Sequence, residues 1–507
     1  SYDLTGEVEQ THLSVNHDFW GTWISYIGYF LLFFGLIASL FVENTRFDYL
    51  KNSLKKIQKK KLTTLVVLVF FLTNAINAQQ HSQHKKLSNK RIDSILLANK
   101  VDKKHAESFS KLVIQDAGGR MKPAHTFASE LVRKVAQTEK FKDMTPSQIL
   151  LSISENPRLW IDVPVIYLAK SGNKEIREIL GLPDTTMYAS LSDFLTPNGA
   201  YKIKSAVEEA QKSRIQNKFQ TDLIKIDRRV GLLYSAIGGG ILRIYPIPND
   251  ENNKWVSQPE TLHAGFKGTD SVFVRQSLPV YLQLLQNSKK TGDYSETNKV
   301  LEGIKKFQRK FGADVIPSEE KVDLEIVYNK INIFQNLSRY YALTGLLLVL
   351  FVVLQIFYSK SKFLNYIIKG LIGLAILLFI SHVIGLGMRW YISGNAPWSN
   401  AYESLIFVAF ATMLFGLFLG RKSALTIGAS AFLVAVILMF AGQNWIDPEI
   451  ANLQPVLNSW WLLVHTSIIV SAYGPFGLGM ILGIVTLFLM VFTNKKNKKK
   501  MDLHIKE

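Results

Sequence analysis

Apolar runs long enough to cross a bilayer flank a central stretch that has none, and this arrangement dictates a membrane protein carrying a soluble insert. A helix needs about 20 apolar residues to cross the roughly 30 Å hydrocarbon core. Such runs lie at about 22–42, 62–78, 340–358, 363–388, 401–420 and 423–441, and from Trp460 to about Phe492. Residues 81–338 read as ordinary soluble protein. The expected fold class is a polytopic α-helical membrane protein of about seven spans with a large, mainly helical α+β extracytoplasmic domain.

The charge orients this set. A net charge of +19 suits nucleic-acid binding or basic cytoplasmic loops. The densest basic runs, KKIQKKK at 55–61 and KKNKKK at 495–500, each lie beside the end of a span. That position favours the membrane reading and no nucleic acid. By alternation, 45–61, Lys360 with Lys362, Arg421 with Lys422, and the tail fall inside, whereas the short outer segments 1–20, 389–400 and 442–458 hold only Arg389 as a Lys or Arg. The chain thus divides into span 1 and its flank (1–44), a basic loop (45–61), span 2 (62–80), the outer domain (81–338), a membrane domain of spans 3–7 (339–493) and a basic tail (494–507). Span 2 ends in Ala75-Ile76-Asn77-Ala78, which mimics a signal-peptide cleavage site, but its position after another span favours an uncut helix. Span 7 exceeds one crossing and is expected to tilt, project, or break at Gly474-Pro475. The polar opening SYDLTGEVEQ, without an initiator Met, reads as the interior of a longer product. There is no cysteine, so disulfides, thiolate metal sites and thiol nucleophiles are excluded.

In the outer domain, 104–116 reads as a helix with a short strand, 123–135 and 144–154 as helices, 203–228 as one long surface helix, 241–247 as a strand, and 278–290 and 297–311 as amphipathic helices. Gly238-Gly239-Gly240 lacks the Lys-Ser/Thr of a phosphate loop and reads as a turn. His125 reads as a packing or surface histidine.

Polar residues cluster near the outer ends of the later spans. His382 lies within span 4. Arg389 follows at its boundary, and a Gly394–Asn400 loop leads to Tyr402 and Glu403. Arg389 and Glu403 suit either an ion pair clamping two helix ends or a site for an anionic ligand. Trp23, Trp390, Trp398, Trp445, Trp460 and Trp461 all fall at outer boundaries. Interfacial anchoring explains such a set, and so does a surface for a planar apolar ligand. His465 lies one turn after Trp461 on the same helix face, roughly 7 Å below Trp460. It is either a haem-iron ligand or a histidine satisfied by a neighbouring helix.

Two segments, RWYISGNAPWSNAYESLIFVAF (389–410) and LNSWWLLVHTSIIVSAYGPFGLG (457–479), resemble the System II cytochrome c biogenesis proteins of the fused CcsBA (ResB–ResC) type, in a form like that of Bacteroidetes. The resemblance implies a bacterial inner-membrane protein with its large domain in the periplasm. It implies handling of haem b and thioether attachment of that haem to apocytochrome c. His465 would be an axial ligand of the haem iron. Trp460, Trp461, Trp398, Tyr402, Glu403 and Arg389 would line the site, Arg389 pairing with a propionate. No catalytic residue is assigned. The family's tryptophan-rich WWD segment, its second external histidine and its early ResB-like spans are absent, so the chain matches an internal piece whose missing parts would be partners. A thioredoxin-like reductant would keep the acceptor thiols reduced. The rival functions are a small-molecule transporter, although no inverted repeat is visible, and an envelope scaffold acting through 81–338.

Overall fold

The computed structural model describes residues 89–169, 173–358, 361–443, 446–453 and 459–491. Spans 1 and 2, Trp23, Trp445 and both lysine-rich runs lie outside the described residues.

The large domain, expected from the charge pattern to be the outer domain, is built from short helices around one apolar core. In chain order these are α1 (Asn89–Ala98), α2 (Lys103–Ser110), β1 (Val113–Gln115), β2 (Met121–Pro123), α3 (Ala124–Ala136), α4 (Pro146–Glu155), α5 (Pro157–Trp160), β3 (Ile166–Tyr167), α6 (Lys174–Leu180), β4 (Tyr188–Ala189), α7 (Lys204–Lys212), α8 (Lys218–Ile237), β5 (Arg243–Pro246), β6 (Trp255–Ser257), α9 (Gly268–Thr291) and α10 (Ser295–Phe311). The strands form three separate antiparallel pairs, β1–β2, β3–β4 and β5–β6. Thr145 and Gln148 close a capping box that starts α4, as its Thr-Pro opening predicts. The expected single helix over 203–228 is two. Asn217 caps α8 by accepting from Gln220 N at 2.8 Å, and this cap ends the preceding segment and starts a new helix.

The membrane portion begins without a linker. Helix α11 (Glu319–Ile331) passes into α12 (Ile333–Phe357) through Asn332, which sits in the left-handed region at φ 48°, a conformation that asparagine tolerates. Glu319–Gln355 is a 37-residue candidate span whose length, with a charged first part and an apolar second, is far more than one crossing requires. Its first part belongs to the outer domain: Val322 and Ile326 pack with Val113 and Trp255. Then follow α13 (Lys362–Ser393), α14 (Ala401–Leu419), α15 (Ala424–Ala441) and α16 (Trp460–Val491). Among the described residues five helices are long and apolar enough to span, and they coincide with the sequence-derived spans 3–7. Position 339 falls inside α12, so the helix runs through the boundary drawn there.

Small residues let these helices touch. A Cβ on Gly345 of α12 would lie 2.6 Å from Phe432 N of α15, and one on Gly474 of α16 would lie 2.7 Å from Thr412 N of α14. Helix α16 does not break at Gly474-Pro475. It runs through Pro475 and uses Gly474 for its closest approach to α14. Gly345→Ala is therefore expected to cost about 1–3 kcal/mol of stability through overpacking. Gly387→Ala, with nothing within 4 Å of the added Cβ, should be neutral or stabilising. Thermal unfolding in detergent checks the pair.

Candidate functional site

The buried stripe of α13 is Ala375, Leu378, His382, Gly385, Leu386, Arg389 and Ile392, which repeats at helical spacing and brings two polar residues into the bundle two turns apart. Arg389 is 0% exposed. Each of its three guanidinium nitrogens donates to protein: Nε to Glu403 Oε1 at 2.8 Å, Nη1 to Tyr328 Oη at 3.3 Å and Pro448 O at 2.9 Å, and Nη2 to Glu449 O at 3.0 Å. The Tyr402 ring lies 5.0 Å from the guanidinium carbon. Glu403 is fixed from its other side, where Oε2 accepts from Ser399 N at 2.9 Å and Ser399 Oγ at 2.6 Å, and Asn400 caps α14 by accepting from Glu403 N at 2.9 Å. Of the two uses open to Arg389 and Glu403 in the sequence, the side chains adopt the clamp. The guanidinium expected to meet a propionate is engaged by protein and shut away from solvent.

The same cluster holds the segment that follows α15. Pro448 and Glu449 present their carbonyls to Arg389, and the Glu449 side chain turns to the outer domain. There Lys122 Nζ, 0% exposed, lies 2.7 Å from Glu449, 2.7 Å from Asp116 and 2.8 Å from Glu130. Lys134 pairs with Glu449 and with Asp447, and Arg133 lies 3.1 Å from Asp447. Arg120 reaches Glu325 of α11 at 2.7 Å. Residues 446–450 thus form a strap tied by ion pairs to α3 and β2 on one side and by hydrogen bonds from Arg389 of α13 to its carbonyls on the other.

Burial and charge set the strap's ionisation. Burial opposes the Lys122 ammonium, but Glu130, Glu449 and Asp116 outweigh it and hold the pKa above the ordinary lysine value. Glu130 is pushed up to about 7 by burial, which Lys122 only partly offsets. Glu449 is also opposed by burial, yet Lys122 and Lys134 bring it down to about 2. A cleft of about 960 Å³ opens between α3 and the strap, and His125, Glu130, Arg133, Asp447 and Glu449 are among its walls. His125 is held near 4, chiefly by burial, and is a neutral packing histidine there, 3.5 Å from Ser147 Oγ.

The remaining candidates lie elsewhere. Trp398 stands beside this cluster, 5.9 Å edge-on to Trp390 and 4.8 Å from Phe407. Trp460 and Trp461 stack at 5.7 Å with 17° between their planes and are 73% and 72% exposed; His465, one turn on, is exposed as well. These three form a separate group at the start of α16. The strap holds the α15–α16 connection at the Arg389 end, so α16 descends parallel to α14. Nine residues, about 13.5 Å, separate His465 from Gly474 and Glu403 from Thr412, so His465 lies near the depth of Glu403. No group of three His, Asp or Glu suited to a metal ion occurs among the described residues. Sequence reasoning passed over Tyr328, Lys122 and 446–450. The only signal for the strap was acidic Asp447-Pro448-Glu449 opposite basic Arg133-Lys134.

Comparison with known proteins bears on the helices that carry these groups. Residues 398–507 match the family described as Cytochrome C assembly protein. Beyond that region, the chain is similar to Protein NrfI of Wolinella succinogenes, 32% identical over 500 residues, covering 97% of this chain and 52% of that protein. It is similar to Cytochrome c biogenesis protein CcsA of Guillardia theta, 35% identical over 134 residues, covering 25% of this chain and 44% of the relative. The CcsA of Prochlorococcus marinus (strain MIT 9301) is 32% identical over 168 residues, covering 32% of this chain and 52% of the relative. The chain therefore spans about half the length of the curated relatives it matches.

Removing one partner of a buried ion pair leaves the other charge unpaired, so Arg389→Met or Glu403→Leu alone should cost about 3–5 kcal/mol, and the double variant much less than their sum. Unfolding of the four proteins in detergent closes that cycle. Glu130 keeps its proton in the folded state up to about pH 7 but loses it near 4.5 when unfolded. The native state then binds more protons, and stability falls as pH rises from about 4.5 to 7. Glu130→Gln should flatten that slope in unfolding curves taken across the window.

Proposed function

We propose that the chain is part of a System II-type apparatus for cytochrome c biogenesis in the bacterial inner membrane, receiving haem at the outer face and presenting it for attachment to apocytochrome c. The observation that carries this reading is the exposed, stacked Trp460–Trp461 pair with His465 one turn below it, on a helix inside the region that matches the cytochrome c assembly family. Haem is the substrate. A planar macrocycle packs against flat indole surfaces, and a neutral imidazole is a common axial ligand of its iron. The fit is that of an open half-site: one face of the ligand is provided, and the opposite face is left for parts of the system beyond this chain, including ResB-like and WWD-containing segments.

In this proposal His465 holds the haem from one side and Trp460 and Trp461 orient it. Trp398, Tyr402 and Glu403 act from the neighbouring helix end. Tyr402 and Glu403 do so by fixing Arg389, and Arg389 by fixing the strap. The acceptor's free thiols add across the haem vinyl groups, the thiol hydrogen passing to the adjacent vinyl carbon, so the thioether step is redox-neutral. With no cysteine, the chain cannot reduce the acceptor itself, and a thioredoxin-like reductant supplies that step. The large domain lies in the periplasm, consistent with the lysine-poor outer loops.

The test is an absorption spectrum of the membrane protein purified from haem-replete cells, with and without His465→Ala. A Soret band that the substitution removes, while the unfolding midpoint stays unchanged, supports the reading. An equal Soret band in both proteins refutes the ligand assignment.

A further inference from the structure

We propose that the membrane bundle holds one buried water molecule between Tyr341 of α12 and His382 of α13, accepting from the tyrosine hydroxyl and donating to the imidazole. Both side chains are 0% exposed. His382 Nε2 lies 3.0 Å from Ile406 O on α14. A carbonyl only accepts, so Nε2 carries the proton and Nδ1 is a bare acceptor. Among the described residues Nδ1 has no protein partner, and neither does Tyr341 Oη. A buried acceptor and a buried donor therefore stand unpaired on facing helices, their ring centroids 6.3 Å apart. Phe334 at 5.3 Å and Phe410 at 6.3 Å complete the ring cage around the imidazole and offer no polar atom in exchange.

Leaving both groups unpaired in a lipid-surrounded bundle is costly, because no bulk solvent reaches them. A single molecule that both donates and accepts satisfies the two together, and water is the smallest that does. The same residue pair shows the contrast within this chain. In the outer domain a His–Tyr pair bonds directly, His105 Nε2 to Tyr281 Oη at 2.9 Å. The bridged pair would join three helices through α12, α13 and the Ile406 carbonyl, two turns below Arg389 on the same stripe of α13. It adds a polar site independent of the haem reading.

Hydroxyl-radical labelling by X-ray pulses tests it, since bound water delivers radicals to buried neighbours. In the full chain in detergent, Tyr341 should oxidise several-fold faster than Tyr281, and His382→Phe should bring it down to the Tyr281 level. Tyr341 oxidising no faster than Tyr281 overturns the proposal. Tyr341→Phe supplies a second reading that does not depend on a disruptive change. It should lower the unfolding midpoint in the native background and raise it beside His382→Phe, where the hydroxyl has lost its bridge. A midpoint raised by Tyr341→Phe alone would mean that the hydroxyl has no partner of any kind, and would also overturn the site.

Discussion

The buried pair between Arg389 and Glu403 is the constraint on which the rest of this structure hangs. A fully desolvated guanidinium cannot stay in an apolar bundle without partners for its charge and its donors. Meeting that demand draws four pieces of chain to one point: α13 supplies the arginine, α14 the carboxylate, α11 a phenol, and the 446–450 strap two carbonyls. Arg389 thereby fixes where α14 begins and where the chain leaving α15 must lie.

The strap turns this local solution into a connection between domains. Its backbone answers Arg389 within the membrane end, and its side chains answer Lys122, Arg133 and Lys134 in the outer domain. Together with α11, which runs from the outer core into the span without a linker, it gives the two regions one covalent connection and one set of ion pairs. The cleft between α3 and the strap lies along this junction.

Much of the membrane architecture was readable in the sequence, because lipid forces a long apolar run and the strict 20-residue scale leaves little freedom. The five described spans fell where hydropathy put them. Arg389 and Glu403 could be paired from the sequence, since two opposite charges at adjoining helix ends have few other solutions, but the pair's use could not be chosen between clamp and ligand site. The strap was invisible for a physical reason: its bonds are backbone carbonyls at 448 and 449, which carry no residue signature, and its side-chain partners lie more than 300 positions away in the chain. The break between α7 and α8 was missed because a single capping asparagine outweighed a continuous polar pattern. The sequence placed His382 within span 4 without a partner, and only the packing shows one ring nitrogen bonded and the other, among the described residues, unpaired.

The account rests on His465 being reachable from the outer side of the membrane, at the depth of Glu403. The cysteine-free chain makes this directly measurable: His465→Cys would be its single thiol. In intact spheroplasts the account predicts rapid labelling of that thiol by a membrane-impermeant maleimide. Labelling that appears only after the membrane is permeabilised would place the residue on the lysine-rich side and contradict the account.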